Sequence, residues 1–179
     1  MKQILTIVLT FFSFSLMAQE GDDIFEACRS GNLAEVKAMY NKDPDTLNSV
    51  GYKGYTPLIL AVYNNRPEIV DFLLSKKVDV NTKANSGNTA LIGATLRGYV
   101  YLVDKLIKAG ADINQQNNDG ATALTFAVNF GNTTIAEALI DMGANPHLAD
   151  NSGKSPHDYA VFEENQTMID LLKKGGSKQ

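Results

Sequence analysis

The sequence predicts an all-α solenoid, made of stacked helix–turn–helix units that are joined by hairpin-like turns. Glycine recurs every 33 residues, at Gly54, Gly87, Gly120 and Gly153. The segments that start at these glycines are similar, and they read GYTPLILA, GNTALIGA, GATALTFA and GKSPHDYA. Two runs of apolar residues at helical spacing follow the glycines. A constant period of this length is typical of one supersecondary unit copied along the chain.

Residues 1–18 are expected to be a cleavable secretory signal that precedes the fold. Lys2 is the only charged residue before Glu20, and residues 4–17 are mostly apolar. Ala18 then offers a small residue for cleavage. A membrane span needs about 20 apolar residues, so an uncleaved membrane anchor is the less favoured alternative. The expected location is therefore periplasmic or secreted, without stable membrane insertion after cleavage.

The repeat domain is expected to cover residues 19–174 and to start with a capping unit near residues 22–53. Two short helices are predicted in this unit, one around Ala27 and one around Val36. The turn between them is expected at residues 31–32, where glycine is followed by asparagine. Terminal units of a solenoid differ from the internal ones, as this unit does in its longer loop.

The unit near residues 54–86 shows why each of its segments should be helical. Thr56 can cap the first helix, and Pro57 fits the first turn, where no amide hydrogen is required. Asn65 tolerates the left-handed backbone that ends such a helix. A second helix should begin near Pro67. A loop and a tight turn that ends in glycine then lead to the next unit.

Three further units follow the same pattern, and they lie near residues 87–119, 120–152 and 153–174. Gly98 and Gly131 take the place of Asn65 in the first two of these units. The last unit is predicted to hold helices at residues 156–162 and 168–172. Residues 175–179 are expected to form a disordered tail.

Two short helices cannot bury their apolar faces alone, so each unit must pack on its neighbours. The first helices share a small residue that would let them approach closely, at Ala61, Ala94, Ala127 and Ala160. Lys77 stands where Gly110 and Gly143 stand in the following units. A lysine there must adopt a left-handed backbone or reshape the turn, at a cost of about 1 kcal/mol. We therefore expect the junction between the second and third units to be the softest.

The pattern resembles that of the ankyrin-repeat family, and the small, cysteine-poor chain with a signal favours an exported bacterial type. The TPL sequence at residues 56–58 and the GADIN sequence at residues 110–114 match the family motifs, and the resemblance covers residues 22–174. In ankyrin proteins a histidine bonds to backbone between neighbouring units. Its positions here hold Ile59, Ile92, Thr125 and Asp158. The resemblance therefore implies weaker links between units in this chain.

The composition and the motifs argue against several classes of function. A formal net charge of −4 gives no electrostatic support for nucleic-acid binding. His147 and His157 have no partner at metal-ligand spacing. Neither a catalytic constellation nor a phosphate-binding glycine cluster is recognisable. We expect a non-catalytic chain with no cofactor and no metal, and an enzyme with an unrecognised site is the alternative.

Cys28 is the single cysteine of the chain, which excludes an intramolecular disulfide. We expect it to be a small buried apolar group in the first helix. A reactive or intermolecular thiol is the alternative interpretation.

The resemblance also implies a protein-binding surface, because ankyrin proteins bind partners on a concave face built from turn tips and first helices. These positions, called the concave set below, hold Tyr52, Lys53, Tyr55, Tyr63, Asn85, Asn88, Leu96, Arg97, Asn118, Asp119, Asn129, Phe130, Lys154 and Phe162. Aromatic residues and arginine are enriched in interface hot spots. The alternative is that the aromatic rings pack on neighbouring turns and only stabilise the solenoid.

The sequence thus predicts a monomeric, exported binding module or scaffold that recognises a protein partner. A secreted effector that acts on another cell and a toxin-neutralising immunity protein are the alternatives. Periplasmic retention would favour the binding module, whereas release to the medium would favour the effector.

Overall fold

A computed structural model describes residues 23–176 of the chain. The expected secretory signal at residues 1–18 lies outside the described residues, as do residues 177–179 of the expected tail. Within residues 23–176 the regular structure is helical, and no strand is present. None of the helices in this range is long and apolar enough to span a membrane.

Ten α-helices lie in the described part of the chain, in five consecutive pairs. In chain order they are α1 Ile24–Ser30, α2 Leu33–Lys42, α3 Pro57–Tyr63, α4 Pro67–Ser75, α5 Ala90–Leu96, α6 Val100–Lys108, α7 Ala123–Asn129, α8 Thr133–Asp141, α9 Pro156–Phe162 and α10 Gln166–Gly176. Short 3-10 helices at Pro44–Asn48 and Tyr52–Gly54 lie in the loop after the first pair. The paired arrangement confirms the predicted all-α solenoid.

Hydroxyl side chains cap four of the first helices at equivalent positions. The Thr56 and Thr89 hydroxyls accept the N–H of the residue three places later, at 3.2 and 3.3 Å. Thr122 and Ser155 do the same, both at 3.2 Å. Pro57 occupies the first turn of α3, as predicted. Each cap satisfies one of the backbone donors that a helix start leaves without a partner.

The turns within and after the helix pairs use the left-handed backbone that the sequence predicts. Asn65 has a φ of 54°, and Gly98 and Gly131 hold the same place with φ values of 72° and 62°. Lys77 has a φ of 58°, at the position of Gly110. The prediction for Asn65 is confirmed, and of the two alternatives for Lys77 the structure shows the left-handed backbone.

The helices form two rows whose facing sides enclose the core. Along the row of first helices, α1, α3, α5 and α7 each pack on the first helix of the next unit, and the row ends at α9. The alanines at these contacts are at most 1% exposed, which confirms their spacing role: Ala61, Ala94, Ala127 and Ala160. In the row of second helices, α4 and α6 pack less closely than α6 and α8. This agrees with a soft junction between the second and third units, which stays a prediction.

The positions of the family histidine serve the core and the caps. Ile59 and Ile92 are each 1% exposed. The Thr125 hydroxyl accepts the backbone N–H of Thr122 at 3.0 Å, and the Asp158 carboxylate accepts the N–H of Ser155 at 2.9 Å. Weaker links at these positions stay a prediction, and other side chains link the units.

Asparagines in the long loops provide one set of these links. The Asn81 side chain accepts the Asp112 N–H at 2.8 Å, and the Asn114 side chain accepts the Asn145 N–H at 2.8 Å. The two asparagines are one repeat apart, so the same contact is made at successive junctions. Each loop is thereby fixed to the loop of the next unit.

The expectation of disorder from residue 175 onward is wrong for its first two residues. Helix α10 continues to Gly176, and Gly175 is buried. A β-carbon at Gly175 would lie 2.7 Å from Ile140 Cδ1. The absence of a side chain lets the last helix pack closely on α8, which is why the helix persists past Lys174.

Candidate functional site

The turn tips are held in register by a ladder of backbone hydrogen bonds. The N–H groups of Asn85 and Asn118 donate to Lys53 O at 2.8 Å and to Ser86 O at 3.2 Å. The Asn118 side-chain amide also donates to Asn85 O at 2.7 Å. Asn85 and Asn118, both of the concave set, therefore link neighbouring tips. Their hydrogen bonds position the surface, and each is still exposed to a partner on its outer side.

The glycines that end the first three tips, Gly54, Gly87 and Gly120, allow the next tip to approach. Gly87 has a φ of 81°, and a β-carbon there would lie 2.3 Å from the Asn118 backbone nitrogen. Gly54 is similar, with a φ of 74° and the Asn85 side-chain oxygen 2.5 Å from the β-carbon position. Any larger residue would push the tips apart, which explains the glycine repeat in physical terms.

The aromatic residues of the concave set divide into an exposed group and a half-buried group. Tyr52, Phe130 and Phe162 are 85%, 66% and 70% exposed. Tyr55 and Tyr63 are half-buried and pack edge to face, with ring centroids 6.0 Å apart. The exposed group can contact a partner, whereas the half-buried pair serves the packing between units as well.

Tyr63 is the most firmly packed of these rings. It lies against Gly93 of the next unit, where a β-carbon would be 2.9 Å from Tyr63 Cε2. Burial raises the pKa of the Tyr63 hydroxyl, and a hydrogen bond with the Asn88 side chain opposes this. The Asn88 oxygen in turn accepts the Asn117 side-chain amide at 2.9 Å. For Tyr63 and Asn88 the structural interpretation is therefore the stronger one.

The remaining members of the concave set are mainly polar. Leu96 is half-buried and packs on the core. Lys53, Arg97, Asp119, Asn129 and Lys154 are exposed. Lys154 Nζ lies 4.7 Å from the centroid of the Phe162 ring, and Lys53 Nζ lies 5.4 Å from that of Tyr52. The surface thus pairs cations with exposed rings at both ends of the stack.

A cavity of about 320 Å³ opens beside the first of these tips. Tyr52, Lys53 and Tyr55 of the concave set line it, as the sequence analysis would place them. The N-terminal unit supplies the other side with Asp23, Phe25 and Arg29, joined by Gly51 and Leu60. The contribution of the N-terminal unit was not predicted from the sequence, because it depends on how the irregular loop after α2 folds back.

Gly51 explains how that loop folds back. The Phe25 ring lies over it, with Cζ 2.9 Å from the position of a β-carbon. Two residues later, Lys53 has a φ of 61°, which bends the chain into the tip.

The two histidines, which have no partner at metal-ligand spacing along the chain, lie side by side in the structure. The His147 and His157 ring centroids are 5.8 Å apart. The loop before the last tip folds over the start of α9, where the His157 N–H donates to Pro146 O at 3.1 Å. This contact is between non-adjacent segments, so ligand spacing along the chain could not reveal it. Among residues 23–176 no group of three or more His, Cys, Asp or Glu is placed to hold a metal ion.

Cys28 is a buried apolar group, as predicted, with no exposed surface. Burial and the nearby Asp23 carboxylate raise its pKa to about 12. Since the thiolate is the nucleophile, this thiol is unreactive in the folded chain at neutral pH. The alternative of a reactive thiol is not supported.

Comparison with known proteins identifies the repeat. A family model described as ankyrin repeats (3 copies) matches residues 24–117 and residues 91–179. Ankyrin repeat and SAM domain-containing protein 6 of Rattus norvegicus is 39% identical over 59 residues. The protein of the same name from Mus musculus is 37% identical over 59 residues. Each match covers 33% of this chain and only 7% of the relative.

The matched residues extend over nearly all of the part of the chain that the structure describes, and the helix pairs, glycine-ended tips and stacked rows agree with them. Ankyrin repeats are generally modules of protein–protein interaction and are typically non-catalytic. The chain belongs to the ankyrin-repeat family.

Proposed function

We propose that this chain is an exported, non-catalytic binding module that recognises a protein partner through the concave set. The export part rests on residues 1–18, whose charge and apolar pattern is that of a secretory signal. The location is then the periplasm or the extracellular space, and the module acts as a monomer. Cell fractionation with an antibody to the chain tests the location. Detection of the chain in the cytosolic fraction alone would contradict export.

The exposed aromatic rings are the observation that supports recognition most strongly. Tyr52, Phe130 and Phe162 leave most of their surface open to solvent. Rings of this size contribute large contact area with few rotatable bonds. They stand on a surface whose tips are fixed by hydrogen bonds, so binding would cost little ordering of the backbone. A standard interface would cover about 800 Å² on this chain.

Capture of the partner from an envelope extract tests this proposal. We expect the triple variant Tyr52→Ala, Phe130→Ala, Phe162→Ala to lower capture roughly tenfold or more, because it removes hot-spot area. Its melting temperature should stay close to that of the unchanged chain, since these rings are exposed.

Tyr63→Ala is the matched structural control. It removes a half-buried ring that packs on Gly93, and we expect it to lower the free energy of unfolding by about 2 kcal/mol. Normal capture by the triple variant, together with a collapsed melting transition, would mean that the exposed rings are structural after all. It would also end the case for recognition by this face.

A further inference from the structure

The arginines of this chain lie in one region of the stack. Arg29, Arg66 and Arg97 are the only arginines in the sequence, and they fall in the first three units. Arg29 is in the last turn of α1, Arg66 precedes α4 and Arg97 follows α5. All three therefore lie at turns between paired helices. We call them the arginine row.

Two of these side chains, which occupy different positions of the repeat, donate hydrogen bonds to equivalent backbone carbonyls across successive junctions. Arg66 Nε donates to Arg29 O at 3.0 Å, and Arg97 Nε donates to Tyr63 O at 3.2 Å. Arg29 and Tyr63 each follow, by two residues, an alanine of the first-helix row: Ala27 and Ala61. The two acceptors are thus the same backbone position in neighbouring units.

This equivalence sets the distance between the two guanidinium groups. Packed helices lie about 8–10 Å apart, so groups bound to the same position on neighbouring first helices are separated by roughly 10 Å. The Arg66 side chain also lies against the turn at Gly31, with Cδ 3.0 Å from the β-carbon position. Both guanidinium groups are therefore held in place before any partner arrives.

The outer nitrogens of Arg66 and Arg97 are available for a ligand. Neither side chain forms an ion pair within residues 23–176, whereas Arg29 pairs with Glu26. Each keeps its Nη donors, which match the two oxygens of a carboxylate. Arg97 is exposed and Arg66 is half-buried, so both can be reached from solvent.

The position of Arg97 in the repeat loses its positive charge in the later units. The position that ends the first helix holds Arg97 in the third unit, Phe130 in the fourth and Glu163 in the fifth. In a chain of formal net charge −4, the cationic edge is confined to the N-terminal half. An acidic ligand is therefore complementary to the first three units only.

We propose that the arginine row binds an acidic segment of the protein partner, with carboxylates about 10 Å apart. This deepens the proposed function and rests on it. In a polyproline II segment, residues three apart lie on the same side at roughly 9 Å, which suits the spacing of Arg66 and Arg97. Each arginine then makes a two-pronged contact with one carboxylate.

A fluorescent peptide with the sequence Glu-Pro-Pro-Glu-Pro-Pro-Glu is the probe. We expect the full chain to bind this peptide at low salt. A control peptide of the same composition, with its three glutamates adjacent, should bind more weakly. Arg66→Gln and Arg97→Gln should each lower the affinity roughly tenfold, the usual effect of losing a hydrogen bond between charged groups. Fluorescence anisotropy gives the affinities.

Lys108→Gln is the charge-matched control. Lys108 is an exposed lysine that pairs with Asp104 on α6, away from the row, and its loss should leave peptide binding unchanged. Arg97→Lys keeps the charge but removes the fork, and it should also weaken binding. If Arg66→Gln lowers the melting temperature, Arg97→Gln still decides, since that side chain is exposed and makes one hydrogen bond.

Three results would overturn the inference: no peptide binding, equal loss with Lys108→Gln, or tighter binding of single-stranded DNA of equal charge. Capture of the partner distinguishes a failure of this inference from a failure of the proposed function. If Arg66→Gln and Arg97→Gln capture the partner normally while the triple aromatic variant does not, recognition by the concave set holds and the acidic-segment inference fails.

Discussion

Single residues with a left-handed backbone limit the stability of this stack. Lys77 has a φ of 58°, and Gly110 and Gly143 adopt φ values of 93° at the same place in the next two units. A β-carbon in this conformation costs about 1 kcal/mol. The Lys77 side chain is exposed, so nothing buried depends on it. The cost falls at the junction where α4 and α6 pack least closely.

Lys77→Gly should therefore stabilise the chain. We expect the free energy of unfolding to rise by about 0.5–1 kcal/mol. The relief of backbone strain in the folded chain should outweigh the flexibility that glycine adds to the unfolded chain. Urea denaturation monitored by circular dichroism measures this. Lys77→Ala is the control that removes the charge but keeps the β-carbon, and it should give no gain. Equal gains from both variants would assign the effect to charge instead of backbone strain.

At the scale of an element, the last turn tip is held by one carboxylate. Asp150 accepts the Ser152 hydroxyl at 2.6 Å, the Tyr159 hydroxyl at 2.6 Å and the Lys154 N–H at 3.2 Å. Partial burial raises its pKa, but hydrogen bonds from Ser152, Tyr159 and the Lys154 backbone outweigh this and lower the pKa to about 2. The charged carboxylate therefore stabilises the tip that has no following unit to support it.

The pH dependence of this contribution follows from the lowered pKa. The stabilisation is fully present well above the unfolded value of 3.8 and is lost as the pH falls towards 2. We expect Asp150→Asn to lower stability by about 1 kcal/mol at neutral pH, with the difference from the unchanged chain shrinking between pH 4 and 2. Thermal melting across that range measures it. Tyr159→Phe, which removes one donor, should show a smaller effect, and a difference independent of pH would contradict the assignment to Asp150.

The elements were predictable from sequence because their signals repeat at a fixed period. Comparison with the equivalent residues one repeat later predicts a cap at Thr56 and turns at Asn65 and Lys77. The asparagines that link neighbouring units also recur at the period of the repeat. Asn81 and Asn114 stand one repeat apart, and so do Asn85 and Asn118, although their side chains were not assigned this role from the sequence.

The candidate site was less predictable, since exposure depends on packing between units. The positions of Tyr52 and Tyr63 follow from the repeat, but only the structure shows that Tyr52 is exposed and that Tyr63 lies on Gly93. The contact between His147 and His157 depends on the fold of an irregular loop. Such contacts have no periodic pattern to reveal them.

On the scale of the whole molecule, the buried apolar residues form one core that runs along the stack from Ile24 to Leu172. Among residues 23–176 the closest packing between units is between neighbours, so the terminal units have one such junction where internal units have two. Cys28 lies in the first unit and is fully buried between α1 and its neighbours. Its thiol, with a pKa of about 12, can react only when that unit opens. The chain thus contains one natural reporter of opening at its N-terminal end.

We expect the first unit to open before the rest of the stack. Labelling of Cys28 by a thiol reagent should become fast at a urea concentration below the midpoint for loss of helical circular dichroism, because the end unit loses only one junction when it opens. The labelling rate at each urea concentration, measured by mass spectrometry, gives the first transition. Cys28→Ser confirms that the signal comes from this thiol. Coincident midpoints would show that all five units unfold as one cooperative body, and nearest-neighbour packing would then not describe the stability of this chain.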